Sequence, residues 1–147
     1  MDARFLERAL ELAREAGLEI EMSEVEVESL VPAALQTGTS EAFMAGLPAH
    51  DGEMAARLAE AKAAGQVLRY VARLDMANRK ATVRLVRLDG SHAFAHMALT
   101  DNIVRYETAR YCENPLIVQG PGAGPEVTAG GVFGDLLRCA AFLGAKL

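Results

Sequence analysis

The chain has 147 residues, which suits one compact domain or part of a larger one. Its 15 basic and 20 acidic residues give a formal net charge of −5, and that balance argues against nucleic-acid backbones or anionic lipid as main partners. Hydrophobic residues make up 51% and charged residues 24%, which excludes a disordered chain; with no Trp and 5% aromatics, the core has to be aliphatic.

No charge-free apolar run reaches the ~20 residues of a membrane-spanning helix. Charged residues throughout the N-terminal stretch leave no apolar core for a secretory leader. The expectation is a soluble, cytoplasmic protein without a membrane partner. The two cysteines, Cys112 and Cys139, do not make a disulfide framework and read as two buried or half-buried thiols.

The first element is an amphipathic helix over 3–16, with Phe5, Leu6, Ala9, Leu10, Leu12, Ala13 and Ala16 apolar, Asp2 as N-cap and Gly17 at the C′ position. Alternation over 24–31, with Val25, Val27 and Leu30 inward, predicts a half-buried strand ended by Pro32; Glu24, Glu26 and Glu28 then form its solvent-facing side. Ser40 is placed to cap a short helix through Phe43 and Met44. A second amphipathic helix spans 51–64, closed by Gly65, with Met54, Leu58 and Ala61 on its core side.

Two alternating runs, 67–74 and 81–88, are joined by a turn over 75–80 and read as a β-hairpin. Arg69, Arg73, Arg84 and Arg87 read as its solvated face rather than a nucleic-acid patch. A loop over 89–101 leads to a third strand of this meander at 102–109 and a short apolar strand at 115–119. Residues 125–143 are helical. The order of elements predicts an α+β fold, helices covering a largely antiparallel sheet.

His92 and His96 stand at i, i+4, a spacing that can hold a metal on a helix. The segment lacks a third ligand, so no metal site is assigned. Ser23, Ser29, Ser40 and Ser91 lie in no nucleophile elbow, and no carboxylate pair is singled out. The informative stretch is PLIVQGPGAGPEVTAGGV from Pro115, which reads strand, glycine loop, helix. Gly120, Gly122 and Gly124 let a ligand approach the backbone, Pro125 suits the first helical turn, and the helix N-terminus behind it favours an anion. Thr128 adds a hydroxyl in that first turn. A dinucleotide fingerprint would need glycine where Pro125 stands, and too few residues follow for a βαβ unit. A tight turn with close helix packing through Gly130, Gly131 and Gly134 is the competing structural reading.

With these pieces in place the chain resembles homoserine dehydrogenase, in particular its C-terminal part in enzymes fused to aspartokinase. The matching segments are LAREAG at 12–17, VEVESLVPA at 25–33, VLRYVARLD at 67–75, DN at 101–102, RY at 110–111, NPLIVQGPGAG at 114–124 and VTAGGVFGDLLR at 127–138. The resemblance implies a substrate-binding and dimerisation domain over 1–147, with its C-terminal helix and without the Rossmann nucleotide-binding domain. It implies interconversion of aspartate semialdehyde and homoserine with NADP or NAD, on the route to threonine and methionine. A homodimer through the sheet and a nucleotide-binding half in the parent enzyme are the implied partners.

The resemblance also places Gly122, Ala123, Gly124 and Thr128 at one edge of the cofactor site. The family carries a substrate-binding aspartate and a catalytic lysine in a D-V-A-R-K run. An ungapped alignment from Leu12 sets Arg4 at the aspartate and Arg8 at the lysine. An arginine does not exchange protons near neutral pH, so no catalytic residue is assigned. Three readings follow: a split or truncated oxidoreductase, incomplete alone; a non-catalytic dimerisation or interaction module; and a designed or rearranged scaffold.

Overall fold

A computed structural model of the chain describes residues 3–98, 101–122 and 124–145. The chain divides into two compact units, Met1–Ala95 and His96–Leu147. The architecture is α+β, with small sheets, mainly antiparallel, and helices.

In the first unit, helix α1 (Ala3–Glu15) is made almost wholly of strong helix formers. Gly17 takes the positive φ, +87°, of a C′ glycine, as its position predicts; Asp2 lies outside the described residues. Leu6, Ala9, Leu10 and Ala13 are buried, while Phe5 and Leu12 flank them half-exposed, so the core stripe is narrower than the apolar pattern.

The expected strand at 24–31 is reduced to β1 (Glu26–Val27). Residues Met22–Glu24 form a single 3-10 turn instead, because the Glu24 carboxylate accepts the Glu21 N–H at 2.7 Å and turns the chain. β1 runs parallel to a later strand, which the alternation did not announce. Leu30, expected inward, is exposed.

Helix α2 (Ser40–Gly46) is capped by Thr39, not Ser40: the Thr39 hydroxyl accepts the Ala42 N–H at 3.2 Å. Helix α3 (Asp51–Ala63) ends before Gly65, whose φ is +68°. Only Ala61 of its expected core side is buried; Met54 and Leu58 are 38% and 41% exposed, a correction to their assignment as core.

Strands β2 (Gln66–Asp75) and β3 (Lys80–Asp89) form the predicted hairpin in continuous antiparallel register, Gln66 opposite Asp89 and Asp75 opposite Lys80. The turn is held by the Asp75 carboxylate, which accepts the backbone and side-chain N–H groups of Asn78 at 3.0 Å. The first sheet has the order β1-β3-β2. Its covered face carries Tyr70, Ala72, Leu74, Ala81 and Val83 against Leu6, Leu10, Ala13, Leu18, Ile20 and Val25. This core is aliphatic, as the composition requires.

Arg69, Arg73 and Arg84 do share one face, but Arg87 stands on the other, beside α3, where it pairs with Glu60. The period of two explains this, since Arg84 and Arg87 are an odd number of residues apart. Arg69 closes over the loop after β3, donating to the carbonyls of Phe94 and Ala95 at 2.8 Å.

In the second unit, β4 (Asp101–Tyr106) pairs antiparallel with β5 (Leu116–Pro121), Asn102 opposite Gly120. These two strands are a separate sheet, so β4 is not a third strand of the meander. Helix α4 (Pro125–Phe142) follows with Pro125 in its first turn. Both cysteines are exposed, correcting the buried or half-buried expectation: Cys112 lies on the long β4–β5 connection, and Cys139 lies on a helix with no buried residue.

Candidate functional site

The glycine stretch folds as its residue types require. β5 delivers the chain to Gly122, beyond the last paired residue, and α4 begins at Pro125. Gly124 is the N-cap, with φ +147° and ψ 149°, a conformation that L side chains rarely adopt. No side chain caps this helix end, and the Thr128 N–H closes the first turn on the Gly124 carbonyl at 3.0 Å. A Cβ at Gly122 would fall on the far end of the exposed Asn102 side chain, which would have to turn aside. Gly120 has open space around it, so packing does not demand glycine at 120. At Gly130, Gly131 and Gly134 a Cβ would meet nothing within 4 Å, so none of the described residues demands glycine there.

Gly122, Gly124 and Thr128 are thus brought together at the strand-to-helix turn; Ala123 lies outside the described residues. The result is partly exposed glycine backbone at the N-terminus of a long helix, an arrangement that favours an anionic group such as a phosphate. Asn102, of the DN pair at 101–102, lies against Gly122.

The Arg8 side chain is exposed on α1, and position 4 is one helical turn before it on the same side. Arg8 therefore points away from the core that α1 covers. An open hollow along α1 is lined by Glu7, Leu10, Glu11, Arg14, Glu21 and Met22.

His92 packs edge-on against Phe94 at 4.9 Å, and its Nδ1 accepts the Phe94 N–H at 3.1 Å. Among the described residues, no cluster of three His, Cys, Asp or Glu is placed to hold a metal. No described helix is long and apolar enough to cross a membrane.

Glu28 corrects the reading of the three glutamates as one solvated face. Its Oε1 accepts from Arg57 at 3.3 Å and its Oε2 from the Leu85 N–H at 3.2 Å, while the Tyr70 hydroxyl donates to its carbonyl at 2.8 Å. Burial, then the nearby Glu28 charge, raises the Tyr70 pKa, so the phenol stays a donor. β1 is too short to pair with Leu85, and the Glu28 side chain takes over that edge N–H. This cluster ties α3 to the sheet.

Comparison with known proteins gives consistent results. The chain matches the homoserine dehydrogenase family over residues 4–137. It is 53% identical over 135 residues to a chloroplastic bifunctional aspartokinase/homoserine dehydrogenase of Zea mays, covering 91% of this chain and 15% of that protein. A homologue of the same description from Arabidopsis thaliana is 50% identical with the same coverage. The homoserine dehydrogenase of Schizosaccharomyces pombe is 43% identical, covering 86% of this chain and 34% of that protein. A crystal structure of a Candida auris protein described as of unknown function superposes with a TM-score of 0.84 at 41% identity, covering 93% of this chain and 38% of that one. The chain spans about a third or less of the length of these relatives, and it belongs to the homoserine dehydrogenase family.

Proposed function

We propose that this chain is the substrate-binding and dimerisation portion from the C-terminal part of a homoserine dehydrogenase, carrying one edge of the cofactor site. The carrying observation is the turn from β5 to α4. Gly122 and Gly124 leave bare backbone before an uncapped helix N-terminus, in a chain that belongs to this family. These residues fit a nucleotide: neither glycine carries a side chain and the backbone at 124 disfavours one, so a phosphate-bearing group can reach the N–H groups.

The reaction interconverts aspartate 4-semialdehyde and homoserine, one step of threonine and methionine biosynthesis. NADP or NAD, when bound, supplies or accepts the hydride. The chain's own part is binding. Gly122, Ala123 and Gly124 offer backbone to the cofactor, and Thr128 offers a hydroxyl in the first turn of α4. A nucleotide-binding Rossmann half elsewhere in the parent enzyme completes the site. Arg8 and Arg4 stand where the family has its lysine and aspartate, so the chain alone lacks the proton-transferring group.

The homodimer is assigned to the face of the first sheet opposite α1. There Val67, Val71, Val86 and Leu88 are only half-buried and alternate with Arg69, Arg73 and Arg84. Nucleic acid and membrane are not partners in this reading, and the compartment is the cytoplasm or, as in the plant relatives, the chloroplast.

The test is homoserine-dependent reduction of NADP and NAD at alkaline pH. The purified chain is assayed alone and mixed with the nucleotide-binding half of the Zea mays relative. Turnover only in the mixture, if necessary after Arg8→Lys and Arg4→Asp, supports the proposal. Turnover by the chain alone overturns its incompleteness. A folded dimer with neither turnover nor nucleotide binding in the mixture favours the non-catalytic interaction module.

A further inference from the structure

The first unit ends at Ala95, and a single 3-10 turn, Ala93–His96, stands across that boundary in the chain. So short a turn is marginal by itself, and its closing carbonyls lack partners within it. Arg69 of β2, opposite Val86 and near the open end of the hairpin, supplies them. Its Nε donates to the Phe94 carbonyl and its Nη2 to the Ala95 carbonyl, both at 2.8 Å, while its Nη1 donates back to the Leu68 carbonyl at 2.9 Å. All three bonds are half-buried and go to main chain, two of them to residues 25 and 26 positions away. The other end of the turn is held as well. His92 Nδ1 accepts the Phe94 N–H at 3.1 Å, its ring lies edge-on against Phe94, and the His92 N–H donates to the carbonyl of Asp89, the last residue of β3. The chain is thus fastened to both strands of the hairpin where a unit with a packed core gives way to one with no buried residue among those described.

We propose that Arg69 and this turn act as a stop against fraying. The second unit, without a core, opens first, and the loss of order runs back along the chain until it meets a fastened segment. The Arg69 fork holds two successive carbonyls at once, halts the opening at Ala95 and keeps the ends of β2 and β3 paired. The planar fork is what matters. An ammonium is a point charge on a flexible stem and does not hold two carbonyls in one fixed geometry.

The test is amide hydrogen exchange of the purified chain, followed segment by segment in urea below the main unfolding transition. In the unaltered chain residues 101–145 should exchange freely while 85–95 stay protected. In Arg69→Met the exchange of 85–95 should quicken roughly tenfold, for the loss of two bonds from a charged donor, with α1 unchanged. Arg69→Lys should behave as Arg69→Met does. His92→Ala should quicken 92–95 in the same direction, and by less when Arg69→Met is already present, since both act on one turn.

An unaltered chain in which 92–95 exchange as freely as 101–145, or in which 101–145 are as protected as the hairpin, overturns the stop. An Arg69→Met chain that keeps 85–95 protected does the same. If Arg69→Met loosens α1 and 85–95 equally, Arg69 supports the whole first unit and the local role is wrong. Full protection in Arg69→Lys would show that charge alone suffices, and the fork is then removed from the account.

Discussion

In the first unit Ala13, Ala61 and Val83 are completely buried and Leu18 is 1% exposed, all within 95 residues that hold three helices and a continuous hairpin. In the second unit no described residue is buried. Its hairpin is two strands, and its helix exposes Val132, Phe133, Leu136, Phe142 and Leu143, Phe142 at 91%. One unit is held by a packed aliphatic core. The other is held by backbone pairing and carries its apolar side chains outward, and a two-stranded hairpin is marginal alone in water. The unit with the weaker core is also the one with the glycine loop. The proposed cofactor edge thus lies in the part with the least packing of its own, a division expected to appear directly in unfolding experiments.

The largest expected effect breaks the comparison at its strongest point. Leu18→Ala should destabilise the first unit by about 3 kcal/mol, because the cavity it leaves is walled by the α1–sheet core. Leu136→Ala, at a site 61% exposed, should cost less than about 0.5 kcal/mol. Urea unfolding of the two variants decides it. Equal losses would mean that α4 is packed in solution and that the contrast between the units is false. A Glu28→Ala change comes next, at about 2 kcal/mol, since it strands the Leu85 N–H and releases Arg57 at once. If Arg57→Met alone matches that loss, the ion pair and not the edge N–H is what matters.

These two sites also mark what the sequence made legible. Gly17, Gly65, α1, α3 and the β2–β3 hairpin follow from local rules, period and positive-φ glycine, and the structure has them. The core side of α3 was over-read, because periodicity says which residues share a face and not whether anything covers it; Met54 and Leu58 are the result. Glu28 was misread because its partners, Arg57 and Leu85, lie 29 and 57 positions away, beyond any local pattern. The separate β4–β5 sheet was missed for a similar reason. Strand alternation carries no information on which neighbour a strand chooses. Of the candidate site, the glycines were legible from residue type and resemblance. The approach of Asn102 to Gly122 was not, because it appears only when β4 is laid beside β5.

Glycine substitutions sharpen the comparison on a smaller scale. Gly65→Ala should cost about 1 kcal/mol, since φ is +68° although the space around it is open. Gly52→Ala, in the first turn of α3 with equally open space and no positive φ, should stabilise by about 0.5 kcal/mol. Thermal unfolding of the pair separates backbone strain from packing, and a Gly65→Ala chain as stable as the original would remove strain from the account.

The smallest expected effect concerns acid. The hydrogen bond from Lys80 at 2.7 Å, and after it the Lys80 charge and the Arg84 hydrogen bond and charge, hold the Glu26 carboxyl below its ordinary pKa against the opposing effect of desolvation. Asp75 is also held low, but chiefly by neutral donors, the side-chain and backbone N–H groups of Asn78. A carboxyl with a depressed folded-state pKa stabilises the fold above its unfolded pKa, and that contribution disappears as pH falls through the folded value. Both residues therefore add to stability at neutral pH and lose it on the acid side of the ordinary carboxylate range. Salt distinguishes them. Glu26 is fully exposed, and in about 1 M salt the screening length is about 3 Å, so the charge-borne part of its contribution should vanish. The hydrogen-bonded Asp75 should keep its own. Lys80→Met should accordingly flatten the acid limb of a stability–pH profile more at low salt than at high salt, whereas Asn78→Ala should flatten it equally in both. A Lys80→Met profile that tracks the original chain at low salt would show that the Glu26 pair adds nothing to folding, the usual outcome for an exposed ion pair.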